Sequence, residues 1–295
     1  MITGPDGGTE LQVMRLQGIT KYRRKAESLF IYMFLAFAGL AFLFPVYWLV
    51  LSSFKPVVDM FRIPPYWTVR SIHVQNYREA FVVRPFFRYM LNSGVVATCS
   101  TAISTTVGAL AAYGIAKYRF RGSERLFLAI LALRMVPVIS VTIPFFLILM
   151  RVHLIDTLAG LILVYVPFQI PLAVWLMHSF FSEVPEELED AAKVDGCSRV
   201  GAFLRIALPI GMPGMAVTAI FIFISAWNEF FLALIMTSEA AKTMPVGLAG
   251  LITGWEVIWG PLFAGSVVYI LPLLLLSSFL QRYVARGFLG GGVKG

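Results

Sequence analysis

The sequence has 295 residues, of which 59% are hydrophobic and only 14% are charged, and its mean hydropathy is +0.81. A soluble domain needs more charge than this to cover its surface, so the composition excludes an ordinary globular protein and indicates a membrane domain. The net charge of +8 does not indicate a nucleic-acid-binding protein, because the basic residues lie between long apolar runs, as membrane topology requires.

Six stretches are long and apolar enough to cross a membrane, which takes roughly 20 largely uncharged residues. In chain order they are 29–51, 91–116, 126–150, 158–181, 209–236 and 261–281. Two of them contain a Lys, Arg, Asp or Glu: Arg134 lies in the third and Glu229 in the fifth. The sequence therefore predicts an all-α membrane protein with six transmembrane helices.

The distribution of positive charge predicts the orientation of these helices. If the N-terminus is cytoplasmic, fifteen Lys and Arg residues fall in inner segments and eight in outer ones, which agrees with the positive-inside rule. We therefore expect both termini to be cytoplasmic. The expected organisation is a cytoplasmic N-terminal segment (1–28), a first transmembrane helix (29–51), an outer loop (52–90), a core with the five further helices (91–281) and a cytoplasmic tail (282–295).

The sequence carries no pattern typical of catalysis or metal binding. Cys99 and Cys197 form neither a CxxC pair nor a Cys/His cluster, so we predict no disulfide framework and no metal site. A G-x-x-x-x-G-K-[ST] phosphate loop is also absent. We therefore expect no catalytic residue and no cofactor bound by this chain.

The longest inner loop, 182–208, is the most polar stretch of the core. Pro185 fits the first position of a helix, and acidic residues follow it in the first turn, where they are favourable for the helix dipole. Gly196 fits the left-handed residue that ends such a helix. A second short helix is expected from about 198 to 208, with Asp195 capping it or holding the turn.

This pattern predicts a helical hairpin outside the membrane. Its small residues, Ala191, Ala192 and Gly196, would let another protein approach closely. The spacing alone does not decide between a docking site for a partner and a simple connector.

The same loop carries the most specific motif of the chain. Its sequence Glu187-Leu-Glu-Asp-Ala-Ala-Lys-Val-Asp-Gly196, followed by Phe203 and Leu208-Pro209, resembles the EAA loop of bacterial ABC importer permeases. Asp190 stands where that family usually has Glu. The segment Ala226-Trp-Asn-Glu-Phe230 resembles a signature of the second membrane subunit of the maltose-transporter type. The resemblance runs from about residue 76 to the C-terminal end.

The resemblance implies a permease subunit of an ATP-driven importer for a sugar or an oligosaccharide, in a bacterial or archaeal inner membrane. Such subunits pair with a second homologous permease, and an extracytoplasmic binding protein delivers the solute. The EAA loop inserts into a dimer of separate ATPase subunits, which bind ATP and Mg. On this chain the implied coupling residues are Glu187, Asp190, Ala191, Ala192, Asp195, Gly196 and Phe203.

Polar residues inside the predicted helices are the candidates for the solute pathway, because charges are costly in hydrocarbon. They are Arg134, Trp227, Asn228 and Glu229, and we expect the last three on one continuous helix. An internal Arg134–Glu229 ion pair, or a hydrogen bond between helices, would explain the same residues structurally. Together with the Arg residues of the outer loop, Arg134 would also suit an anionic sugar derivative, such as a uronate oligosaccharide or a glycerol phosphate.

Three other function classes fit the sequence less well. A membrane enzyme would need convergent acid, base or nucleophilic side chains, and the one polar cluster is the acidic loop. An ABC permease for a solute that is not a sugar would leave the 226–230 signature unexplained. A channel or secondary carrier would leave the EAA-like loop without a role.

Overall fold

The computed structural model describes the backbone of residues 7–118 and 120–291, and the side chains of residues 28–118, 120–192 and 194–279. Most of the predicted N-terminal segment (1–28) and tail (282–295) therefore lies outside the described side chains. Within the described part, the regular structure is helical apart from one isolated β-bridge between Ile252 and Val257. The predicted all-α fold is confirmed.

The chain divides into two compact units, residues 1–72 and 73–295. The first unit contains α1 (Gly7–Ser53) and the short α2 (Val57–Met60). Near the end of α1, the rings of Trp48 and Trp67 lie 5.7 Å apart, and the Lys55 ammonium lies 4.7 Å from the Trp48 ring centroid. Aromatic rings beside cations are typical of a helix end at the membrane surface.

The second unit contains the remaining helices. They are α3 (Gln75–Arg78), α4 (Phe86–Lys117), α5 (Ser123–Ala132), α6 (Val138–Arg151), α7 (Leu158–Ser182), α8 (Glu186–Val194), α9 (Arg199–Ala202), α10 (Leu208–Trp227), α11 (Phe231–Met236), α12 (Met244–Ala249) and α13 (Trp259–Gly291). Two π turns, Glu79–Val83 and Phe203–Ala207, and a 3₁₀ turn, Leu133–Met135, lie between them.

Five continuous helices in the described part of the chain could span a membrane: Ser28–Ser53, Phe86–Lys117, Leu158–Ser182, Arg199–Trp227 and Trp259–Phe279. The predicted third span is different, because α5 with its 3₁₀ turn meets α6 at an angle of 90°. The predicted third span, 126–150, is therefore not one continuous helix. The pair is a broken span or a re-entrant loop, so the structure has five spans, or six with this pair.

Pro137 explains the break between α5 and α6. A proline has no N–H to continue the helix, and it pushes the preceding residue out of the helical region. Val136 is accordingly extended, with ψ of 122°.

The predicted fifth span, 209–236, is wrong at both ends. The helix begins at Arg199 and passes through Pro209 without a break. The π turn Phe203–Ala207 precedes this proline, and such a widened turn accommodates a missing hydrogen bond within a helix. At the other end the helix stops at Trp227, and α11 starts only at Phe231.

Helices α4 and α7 form the centre of the second unit. Gly108 of α4 lies so close to Ala173 of α7 that an added Cβ would clash with it. Small residues at such contacts let membrane helices approach closely, because packing drives their association. One hydrophobic cluster beside this pair surrounds Trp227, and another surrounds Tyr113 and Phe203.

Candidate functional site

Loop 182–208 forms the predicted helical hairpin. Helix α8 ends in a turn at Gly196, whose φ of +86° lies in the left-handed region. The Cys197 N–H donates to the Ala192 carbonyl at 2.9 Å, which is the hydrogen bond of a glycine-terminated helix end. The predicted role of Gly196 in the turn is therefore confirmed.

The second half of the hairpin differs from the prediction. Ser198, and not Asp195, caps it, because the Ser198 hydroxyl accepts a hydrogen bond from the Gly201 N–H at 3.1 Å. The reason is position: the first helical residue is Arg199, and only the residue before it can cap in this way. This helix is also not a short separate one, since it continues as the span that ends at Trp227.

The predicted coupling residues divide into two groups. Five are exposed at the surface of the hairpin: Glu187, Asp190, Ala191, Asp195 and Gly196. Ala192 and Phe203 are buried, and the Phe203 ring lies 4.7 Å from that of Tyr113 and 6.1 Å from that of Phe181. The hairpin thus has an exposed acidic surface and an apolar side that packs against α4 and α7.

A buried polar cluster on the packed side was not predicted from the sequence. The Tyr113 hydroxyl donates to Glu189 Oε2 at 3.0 Å, and the Lys117 ammonium lies 3.7 Å from Glu189 Oε1. The ammonium also donates to the Val184 carbonyl at 2.5 Å. The available signal was helical spacing, because Glu189 lies three residues before the buried Ala192 and so shares its face.

The two helix breaks of the second unit border one cavity of about 350 Å³. Arg134, in the 3₁₀ turn of the first break, and Glu229, in the second, both line it. Gln169 and Ser225 lie in the same wall, and the Gln169 amide donates to the Ser225 hydroxyl at 3.2 Å. The cavity therefore combines an apolar wall with a cation, a carboxylate and hydrogen-bonding groups.

The alternative of an Arg134–Glu229 ion pair is wrong. No carboxylate among the described side chains lies within 4.0 Å of the Arg134 guanidinium. Glu229 Oε1 instead accepts a hydrogen bond from the Leu232 N–H at 2.9 Å, in the first turn of α11. The Glu229 carboxylate thus stabilises the start of that helix.

Trp227 and Asn228 lie outside the cavity wall. Trp227 is buried, and its ring stacks between those of Phe223 and Tyr269 at 5.5 and 5.3 Å. Asn228 is exposed, and its amide donates to the Ile224 carbonyl at 2.8 Å. The expectation that both lie with Glu229 on one continuous helix is wrong, because the helix ends at Trp227 and the next two residues form the break.

Two tyrosines bind the carbonyls that this break leaves free. The Tyr269 hydroxyl of α13 donates to the Trp227 carbonyl at 2.8 Å, and the Tyr165 hydroxyl of α7 donates to the Glu229 carbonyl at 3.3 Å. Polar backbone groups away from water need such partners within a membrane. Neither tyrosine was singled out in the sequence, because the break itself was not foreseen.

Comparisons with known proteins decide the family. The sequence signature described as "Binding-protein-dependent transport system inner membrane component" matches residues 104–290. The chain belongs to this family. It is therefore an ABC importer permease, a multi-pass protein of the inner membrane.

Relatives and a solved structure agree with this assignment. The permease is 38% identical over 260 residues to the trehalose transport system permease protein SugB of Mycobacterium tuberculosis, covering 86% of this chain and 93% of that one. It is 33% identical over 260 residues to the diacetylchitobiose uptake system permease protein DasC of Streptomyces coelicolor, covering 88% and 94%. Its fold matches the crystal structure of a bacterial ABC transporter involved in the import of the acidic polysaccharide alginate, with a TM-score of 0.70 at 19% identity and coverage of 96% and 99%.

Asp156, in the loop between α6 and α7, binds the segment between α11 and α12. Its carboxylate accepts backbone hydrogen bonds at 2.9–3.1 Å from Ser238, Glu239, Ala240 and Ala241. Partial burial raises the Asp156 pKa, but these four hydrogen bonds outweigh it and hold the pKa well below its usual range. The Asn92 amide of α4 donates to the Ala240 carbonyl at 3.1 Å, and the Ser93 hydroxyl accepts from the N–H of Met244, the first residue of α12, at 2.8 Å.

The turn between α12 and α13 presents an exposed aromatic side chain, Trp255. Trp255 is 95% exposed, at the tip closed by the Ile252–Val257 bridge. One span, Arg199–Trp227, separates this turn from the hairpin at Gly196 along the chain. The residues described contain no group of three or more potential metal ligands.

Proposed function

We propose that this permease is one of two membrane subunits of an ATP-driven importer, and that its hairpin is the docking site for a separate ATPase. The observation that carries the proposal is the continuous helix Arg199–Trp227. One end of this helix is the second half of the hairpin, and the other end is the break beside the cavity. A displacement of the hairpin would therefore reach the break through a single rigid element.

In the proposed mechanism the ATPase subunits bind ATP and Mg, and this chain contributes no catalytic group. Closure of the ATPase dimer moves the exposed surface of the hairpin, which includes Glu187, Asp190 and Asp195. The movement tilts α10 and shifts the break that carries Glu229. The pathway at the break then opens toward the other side of the membrane, where an extracytoplasmic binding protein delivers the solute.

The orientation follows from this assignment. We place the hairpin in the cytoplasm and count the α5–α6 pair as one broken span, which puts both termini on the same side. This arrangement agrees with the excess of Lys and Arg in the inner segments. The turn at Trp255 then faces the outside, since one span separates it from the hairpin. An exposed Trp on such a turn is the kind of anchor that protein partners bind, so we assign the binding protein to this turn.

The proposed solute is a sugar or an oligosaccharide. The names of the two relatives, which refer to trehalose and diacetylchitobiose, support this class. The cavity also suits it, because Gln169, Ser225 and Glu229 offer hydrogen-bond donors and acceptors for hydroxyl groups. A second candidate is an anionic sugar derivative, which the Arg134 guanidinium favours, since no described carboxylate neutralises it.

Site-specific photo-crosslinking in native membranes tests the two docking assignments. A crosslinking amino acid replaces Asp190 on the hairpin or Trp255 on the turn, and the captured proteins are identified by mass spectrometry. We expect the ATPase at position 190 and the binding protein at position 255. The exposed Ile72, remote from both in sequence, is the control position. Capture of the ATPase at 255, or of no ATPase at 190, would refute the proposed docking.

A further inference from the structure

The packed side of the hairpin contains ionisable groups that no proposed step has used. The side chains of Lys117 and Glu189 are only 5% and 6% exposed. A buried ion pair is costly to desolvate, and it contributes little to stability compared with apolar residues of the same shape. The pair is therefore better explained by the position in which it holds the hairpin than by a contribution to stability alone.

Tyr113 and Lys117 lie one helical turn apart at the inner end of α4, and between them they contact both halves of the hairpin. The Tyr113 hydroxyl and the Lys117 ammonium bind Glu189 of α8. The Tyr113 ring packs 4.7 Å from Phe203, in the π turn that leads into α10. The Lys117 ammonium also binds the Val184 carbonyl, between α7 and α8. The end of α4 is thus joined to the segments before, within and after the hairpin.

Glu189 also differs from the acids that surround it in the hairpin. Glu187 and Asp190, its near neighbours, are exposed, and a docked partner can reach them. Glu189 is 4% exposed and points toward α4. The same short helix therefore presents acids on two sides, of which one is available to a partner and the other is fixed to the membrane core.

We infer that Glu189, Lys117 and Tyr113 are positioning residues that fasten the hairpin to α4, so that a movement of the docked hairpin is transmitted to α4 as well as to α10. The inference rests on the proposed function, because it presupposes that the ATPase docks on the hairpin. It adds a second route for the movement. Helix α4 in turn packs closely on α7 at Gly108, and α7 carries Tyr165 and Gln169 at the cavity.

The test measures uptake and ATP hydrolysis together in the complete transporter reconstituted into liposomes. In Glu189→Gln and Lys117→Met, the solute taken up per ATP hydrolysed should fall about tenfold, which corresponds to the loss of an interaction of about 1.4 kcal/mol. The double variant should fall no further than either single one, because the residues act as a pair. Lys117→Arg keeps the charge and should stay near the unsubstituted value.

Glu124→Gln is the matched control, since it removes an exposed carboxylate at the start of α5 that no described hydrogen bond or ion pair joins to the hairpin. Unchanged uptake per ATP in Glu189→Gln, or additive losses in the double variant, would overturn the inference. If the charge variants fail to assemble, Tyr113→Phe decides, because it removes one hydroxyl and keeps the ring packing. A severalfold fall in uptake per ATP supports the inference, and no fall overturns it.

Crosslinking at position 190 separates this result from a failure of the proposed function. If the unsubstituted hairpin captures the ATPase and Glu189→Gln transports normally, the inference alone is wrong. If the unsubstituted hairpin captures no ATPase, the docking proposal is wrong and the inference falls with it.

Discussion

The Tyr269 hydroxyl donates a hydrogen bond to the Trp227 carbonyl at 2.8 Å, at the residue where α10 ends. The Tyr269 ring also stacks on the Trp227 ring at an interplanar angle of 12°. One residue of α13 thus satisfies the backbone at the break and packs against the side chain that precedes it. This contact fixes the end of the helix that begins at the hairpin.

Removal of the Tyr269 hydroxyl should destabilise the protein at the helix break after Trp227. In Tyr269→Phe the Trp227 carbonyl loses its partner, and we expect the free energy of unfolding to fall by about 1 kcal/mol. Tyr165→Phe should have an effect of the same size at the Glu229 carbonyl. Thermal unfolding in detergent measures both, with Tyr32→Phe, whose ring is 71% exposed on α1, as the control. Equal stability of the Tyr269 and Tyr32 variants would contradict this account.

Two substitutions of Glu229 distinguish its hydrogen bond from its charge. Glu229→Gln keeps an oxygen that can accept from the Leu232 N–H, whereas Glu229→Ala removes it. If the hydrogen bond positions α11, uptake should fall about tenfold in the Ala variant and remain near normal in the Gln variant. Equal losses in both variants would mean that the carboxylate charge acts on the solute or the pathway.

Because the backbone at Gly196 is left-handed, we expect Gly196→Ala to have a smaller effect than Gly196→Pro. An added Cβ meets no atom within 4 Å, so the cost in Gly196→Ala comes from the backbone alone, about 1–2 kcal/mol. Gly196→Pro cannot adopt a φ of +86° and should uncouple ATP hydrolysis from uptake while the protein still inserts. Gly94→Ala, at an unhindered helical glycine, is the control. Normal uptake per ATP in Gly196→Pro would refute the role of the turn.

The hydrogen bonds between Asp156 and residues 238–241 should not change with pH across the physiological range. Because hydrogen bonds hold its folded-state pKa below the unfolded value of about 3.9, its stabilising contribution is complete above that pH and declines only as the pH falls below it. Asp156→Asn should cost roughly 1–2 kcal/mol at neutral pH, discounted for solvent access. Amide hydrogen exchange of residues 238–241 measures both effects. Protection lost between pH 7 and 5 would contradict the prediction.

Much of the fold could be predicted from the sequence because long apolar runs have one stable solution in lipid, the helix. The hairpin was also predictable, since Pro185 and Gly196 mark its first helix by local backbone chemistry. The break at Asn228–Glu229 was missed because hydropathy reports only whether a residue prefers lipid. Pro137 interrupts its apolar run by local backbone chemistry, whereas the break at Asn228–Glu229 depends on partners from other helices, Tyr165 and Tyr269.

The candidate site divides in the same way. Arg134 and Glu229 could be selected because a charge in an apolar run is costly, and the structure brings them to one cavity. Glu189 was missed because its neighbours Glu187 and Asp190 are equally acidic, and only the packing of α8 on α4 distinguishes it. Trp227 was selected from a motif, and tertiary packing places it in the core and not at the cavity.

The most direct test of the central claim is solute uptake by the purified permease and its co-purifying proteins in liposomes, with and without ATP on the hairpin side. The account predicts that a second permease and an ATPase purify with this chain, and that sugar accumulates only when ATP and the binding protein are both present. A chain that purifies alone and moves solute without ATP would contradict it.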